Sequence, residues 1–186
     1  QAYADGKRTA FERLKSHSTL QKILAQAQYE SPDYEIQILT FEYCPYRVIS
    51  QMDGRAENVI SDYRDMDRLR SIMDNHLSVY EQICLIEAGL IRYFQPRYNA
   101  IYKDNFPNDK HKILESCYNL DFSGLIVEIN SEELRFRLYS PTVKASGHHI
   151  CQIDLLDPEK RWGFFHYGRG DGTFFKSPNV ITRKSS

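Results

Sequence analysis

The chain has 186 residues, of which 41% are hydrophobic and 26% charged, with a formal net charge of −1. That composition suits one domain with a sizeable core, or one domain plus a small appendage, and excludes a disordered chain. No apolar run approaches membrane-spanning length, no signal-peptide pattern opens the sequence, and the near-neutral total gives no case by itself for a nucleic-acid partner.

The polar opening QAYADGK reads as a loop, so the natural chain is expected to continue before Gln1. Thr9 to Ala27 then reads as a helix, with Ala10, Leu14, His17, Gln21 and Leu24 on one face. Tyr34 to Cys44 reads as a strand stopped by Pro45, with Ile36, Ile38 and Thr40 alternating. Ala56 to Asn75 reads as a second helix whose apolar side is Ala56, Val59, Ile60, Tyr63, Met66 and Met73. Ser78 with Glu81 forms a capping-box pattern that opens a third helix, and Pro96 ends it after Phe94. A short helix is expected near Asp109 to Cys117.

After Asp121 the pattern turns to strands: FSGLIVEI, LRFRLYS, HICQIDLL and RWGFFHYG, with GRGDG as a tight turn or loop. Leu134, Phe136 and Leu138 alternate with Arg135, Arg137 and Tyr139, as a sheet with one wet face should. The expected fold class is α+β, with a small antiparallel sheet flanked by helices over residues 1–105 and a β-rich region over 106–186. The second region is read as a possible surface for substrate or partner recognition.

The four cysteines (Cys44, Cys84, Cys117 and Cys151) are widely spaced and form no CxxC pair, which argues against a structural zinc site and for a reduced, cytoplasmic setting. His148, His149 and Cys151 make a loose cluster, better read as a strand carrying scattered polar residues. Charge is segregated along the chain: residues 1–24, 92–112 and 161–186 are basic, whereas 25–91 and 113–160 are acidic. The three basic segments could share a face, and Lys7, Arg8, Lys15, Arg97, Lys103, Arg161, Trp162 and Arg169 are the candidate nucleic-acid contacts. The aromatics of RWGFFHYGRG could stack bases, although aromatics in strands more often pack a core.

One carboxylate is out of place. Glu87 shares the apolar stripe of Ile83, Leu90, Ile91 and Phe94, and a charge there must be paired, protonated or bound to a metal. Edge-of-stripe solvation or a pair with Arg13 or Arg92 are the structural alternatives. Arg13 and His17, four apart, are expected on one helix edge, and Asn99 follows in the turn after the third helix. A fixed cation, an imidazole, one carboxylate and a short amide suit phosphodiester chemistry. The carboxylate would hold a divalent metal and the arginine would bind the scissile phosphate.

These residues resemble the GIY-YIG endonucleases. Glu87, Leu90-Ile91, Pro96 and Asn99 look like the end of the family signature, and GKRTAFERLKSHSTLQ looks like its arginine-bearing helix. Arg13 matches the family arginine, and His17 matches a histidine of the restriction-enzyme-like branch. The resemblance covers roughly residues 1–102. It implies a metal-dependent endonuclease that uses Mg²⁺ or Mn²⁺ on Glu87 and acts on DNA, with RNA retained as a substrate class and no membrane partner. In that scheme Arg13 clamps the phosphate, His17 assists a tyrosine base and Asn99 orients the substrate or Glu87. The two tyrosine motifs that name the family do not occur in the 186 residues, and the resemblance places them on a hairpin before Gln1. The alternative is a non-catalytic nucleic-acid-binding or protein-interaction module on a nuclease-derived scaffold.

Overall fold

The computed structural model describes residues 10–30, 37–39, 41, 65–157 and 180–181. Within them helices and small sheets mix in an α+β arrangement. Expectations for residues 56–64 and for the RWGFFHYG and GRGDG segments lie outside the described residues.

The first expected helix is two helices. Helix α1 spans Ala10–Lys15 and α2 spans Ser18–Glu30. Two side chains that compete for the backbone make the break. The Ser16 hydroxyl donates to the Arg13 carbonyl at 3.4 Å, and the Leu20 N–H donates to His17 Nδ1 at 3.2 Å. His17 thus caps α2 instead of continuing α1. Residues 37–39 and 41, inside the expected Tyr34–Cys44 strand, have no strand structure, and Ile38, Leu39 and Phe41 are exposed.

Helix α3 spans Asp65–Asp74. Ile72 is its buried residue at 7% exposure, whereas Met66 and Met73 are 47% and 57% exposed. The expected apolar side therefore does not face the core here, and Ile72 takes that place.

Helix α4 spans Val79–Phe94 and is built as its sequence suggests. Ser78 caps it: its hydroxyl accepts from the Glu81 N–H at 3.2 Å, and Glu81 Oε2 accepts from the Ser78 N–H at 2.7 Å. The Ser116 hydroxyl adds a bond to Glu81 Oε1, tying the start of α4 to α5, which spans Glu115–Asn119. At the other end Gln95 turns left-handed at φ 53° and returns its N–H to the Ile91 carbonyl. A short 3-10 turn, Lys112–Leu114, leads into α5, so the expected helix near Asp109–Cys117 starts later and runs slightly further.

Strands β1 (Gly124–Asn130) and β4 (His148–Asp154) pair antiparallel along their length, with Val127 opposite Cys151 and Leu125 opposite Ile153. Strand β5, Val180–Ile181, adds in parallel beside β4. Strands β2 (Leu138–Ser140) and β3 (Val143–Ser146) form a separate hairpin. The expected alternation over Leu134–Tyr139 fails in its first half. Glu132–Leu134 is a 3-10 turn, Arg135 is left-handed at φ 56°, and Leu134 is exposed.

The core joins these parts. Leu85 and Ala88 of α4 pack with Phe106, Leu114, Cys117, Val127, Cys151, Ile153 and Leu155. These residues come from both sides of position 105. The small pair Ala88-Gly89 lets α4 approach the sheet: the Cys151 thiol reaches the Gly89 carbonyl at 4.0 Å. No helix among the described residues is long and apolar enough to cross a membrane.

Candidate functional site

Glu87 lies in the middle of α4, half-buried. At 100° per residue it sits roughly 160° round the helix from Gly89. The sheet-facing stripe is Leu85, Ala88 and Gly89; of the stripe that Glu87 shares, Ile83, Leu90 and Phe94 are half-buried, Ile91 is buried, and Phe94 packs 5.0 Å from the His149 ring. Among the described residues no hydrogen bond or ion pair engages the Glu87 carboxylate. The two arginines that could have neutralised it do not: Arg92 donates its Nη1 to the Lys103 carbonyl at 2.8 Å, and no ion pair joins Arg13 to Glu87.

Tyr80, Cys84 and Glu87 follow at i, i+4 and i+7, so they share one edge of α4. Tyr102 comes to that edge from the chain beyond the helix. Gln95 and Arg92 both donate side-chain N–H groups to the Lys103 carbonyl, which folds residues 96–103 back along α4. Tyr102 itself is left-handed at φ 68°. Its ring packs edge-on against Phe106 and His111 at 5.7 and 5.1 Å. Burial, first, and then electrostatic coupling to Cys84, Glu87 and Tyr80 raise the Tyr102 phenol above its ordinary value. The phenol therefore stays protonated. Exposed Tyr80 is also raised, through its hydrogen bond to Cys84 first.

The other expected site residues are placed as follows. Arg13 is half-exposed near the end of α1. His17 lies across the helix break, so the two do not stack on a common helix edge as the i, i+4 spacing implied. His17 spends Nδ1 on the α2 cap, which leaves Nε2 as its outward nitrogen. Asn99 is exposed, and its N–H donates to the Pro96 carbonyl at 3.2 Å in the turn after α4. No hydrogen bond or ion pair joins Arg13, His17, Glu87 and Asn99 to one another among the described residues. One link does run between their elements: the Tyr98 hydroxyl donates to Gln26 Oε1 at 2.6 Å, holding α2 against the turn that carries Asn99.

Of the candidate nucleic-acid contacts, Lys15 lies 4.6 Å over the exposed Phe11 ring and Arg97 5.6 Å over the Tyr98 ring. Lys103 is half-buried and its carbonyl is the acceptor already described. Lys7, Arg8, Arg161, Trp162 and Arg169 lie outside the described residues.

The His148, His149 and Cys151 cluster is divided by the pleat of β4. His148 Nε2 meets Glu128 Oε1 at 2.6 Å on the outer face, whereas His149 and Cys151 turn inward. Among the described residues no three His, Cys, Asp or Glu side chains are placed to share a metal.

Tyr102 is the site residue that sequence reasoning missed. The spacing of Tyr80, Cys84 and Glu87 was there to be read, but nothing local puts Tyr102 beside them. No protein-family model, curated protein or solved structure matches the chain, so the chemistry of the site is argued from its own residues.

Proposed function

We propose that the protein is a metal-dependent endonuclease of the GIY-YIG type that hydrolyses phosphodiester bonds in DNA. The observation that carries this reading is Glu87, a half-buried carboxylate with no hydrogen-bond or ion-pair partner among the described residues. Leaving such a charge uncompensated is costly, so a bound cation is the natural complement. Mg²⁺ or Mn²⁺ fits a single carboxylate, because these ions keep several waters and take phosphate oxygens as further ligands. When bound, the metal offsets the charge that develops on the phosphate oxygens.

The chain's own residues would do the rest. Arg13, free of any acidic partner among the described residues, would bind the scissile phosphate by charge-assisted hydrogen bonds. His17 would present Nε2 to the substrate side while Nδ1 keeps its place on the α2 cap. Asn99 would orient the substrate from the turn held by Tyr98 and Gln26.

A second reading, a binding or interaction module on the same scaffold, is favoured by the break at Ser16–His17, which takes Arg13 and His17 off a shared helix edge. Manganese titration followed by water-proton relaxation separates the two. The nuclease reading expects Mn²⁺ binding that Glu87→Ala abolishes. Equal binding by the variant, or none by either protein, supports the module.

A further inference from the structure

The β2–β3 hairpin is held at its open end by two buried polar side chains. Ser131, 1% exposed, directs its hydroxyl at the carbonyls of Gly147 and Phe136, at 3.1 and 3.3 Å. His149, 4% exposed, places Nε2 at 3.0 Å from the carbonyls of both Leu138 and Ser146. Carbonyls only accept, so Nε2 carries the proton, and Nδ1 accepts from the Tyr93 hydroxyl at 3.3 Å. Residues 136–138 are thereby pinned to residues 146–147 from the protein interior.

Beside these pins opens a cleft of about 530 Å³, lined by Glu132, Arg135, Phe136, Arg137, Ser146 and Gly147. Gly147 is needed for its shape, since a Cβ there would lie 2.8 Å from the Glu132 Cγ. Arg135 holds the left-handed backbone at φ 56°, a conformation that residues other than glycine seldom adopt. Both guanidiniums are exposed, and among the described residues neither has a hydrogen-bond or ion-pair partner. Glu132, the one carboxylate on the cleft, pairs with neither.

We infer that this cleft binds the phosphodiester backbone of a single nucleic-acid strand through Arg135 and Arg137. Guanidinium forks match phosphate oxygens, and Phe136 lines the same cleft. The choice of nucleic acid over an acidic peptide rests on the nuclease reading. The site itself lies on the hairpin, apart from the α4 edge that carries Glu87.

Fluorescence anisotropy with a labelled single-stranded DNA in EDTA tests the inference without any cleavage. The double variant Arg135→Ala/Arg137→Ala should bind about tenfold more weakly. The slope of log affinity against log salt should shrink by roughly 1.4, two phosphates at about 0.7 each. Glu132→Gln, which leaves both arginines in place, should bind more tightly, and this holds even if the double variant folds poorly. Unchanged affinity and slope in a folded double variant would overturn the inference. So would unchanged or weaker binding by Glu132→Gln, or arginine-dependent capture of polyglutamate with no DNA binding. Mn²⁺ titration of the wild type without DNA reads the metal site by itself, so failure of the metal reading and failure of this one are distinguishable.

Discussion

Gly89 of α4 lies so close to Val127 of β1 that a methyl group at Gly89 would sit 2.7 Å from the Val127 Cγ2. A glycine in mid-helix costs about 1 kcal/mol against alanine, so in an unconstrained helix Gly89→Ala would stabilise. Here the sheet allows no room. The variant should lose about 1–3 kcal/mol in urea unfolding, the usual range for overpacking. Adding Val127→Ala should return part of that loss, because the second change removes the obstructing methyl. Additive losses in the double variant would show that the contact is not the cause.

The start of α4 carries an acid-sensitive contact. The Ser116 hydroxyl first, then the Ser78 hydroxyl and N–H, hold Glu81 below the ordinary carboxylate range. A carboxylate lowered on folding contributes stability that is complete above its unfolded value, about 4.3, and is lost as pH falls through the folded one. Ser116→Ala should therefore destabilise the protein at neutral pH, and its difference from wild type should fade in acid. Denaturant midpoints across that range measure it. Ser78→Ala removes the cap as well and should cost about 1 kcal/mol.

His111 works in a different window. Burial lowers its pKa, and its Nδ1 is buried with no hydrogen-bond partner among the described residues. Protonation therefore favours the unfolded chain. The stability tied to a neutral His111 is present above the unfolded value, about 6.5, and is lost as pH falls below it. His111→Phe keeps the ring against Phe106 and Tyr102 and removes the orphaned nitrogen. It should leave neutral-pH stability equal or higher and flatten the melting-temperature profile between about pH 7 and pH 5. A variant that is less stable, with an unaltered profile, would show that the nitrogen has a partner.

Burial pushes the Cys117 and Cys151 thiols up to about 12. Thiolates are the reactive form, so both should resist alkylation in the folded protein at neutral pH and react on unfolding. Mass spectrometry of iodoacetamide-treated protein reads this directly. Modification of Cys151 before global unfolding would mean that β4 opens away from α4 by itself.

Local chemistry made some of the fold legible in the sequence. Ser78 with Glu81 announced the start of α4, Pro96 announced its end, and β1 and β4 stood out as apolar runs. The break at Ser16–His17 was hidden because helical periodicity runs straight through it, whereas the side chains of those two residues turn to the backbone. Leu134 and Arg135 looked like strand residues because alternation cannot register a left-handed arginine. At the candidate site, the oddity of Glu87 was visible in its apolar neighbours. Its position across the helix from the sheet contact was not, since that depends on Gly89 being the residue that meets Val127 and Ile153. Tyr102 was invisible for a related reason: the Lys103 carbonyl, eleven residues beyond Arg92 and eight beyond Gln95, is what folds it back, and no sequence motif marks that contact.

The most direct test of the account is metal-dependent cleavage by the natural protein and by its Glu87→Gln variant. Gln keeps the shape of the side chain and removes the charge that would hold Mg²⁺ or Mn²⁺. The wild type should cleave DNA only with the metal present, and the variant should not cleave although it melts at the same temperature and still binds DNA in EDTA. Metal-dependent cleavage that persists in Glu87→Gln would contradict the account.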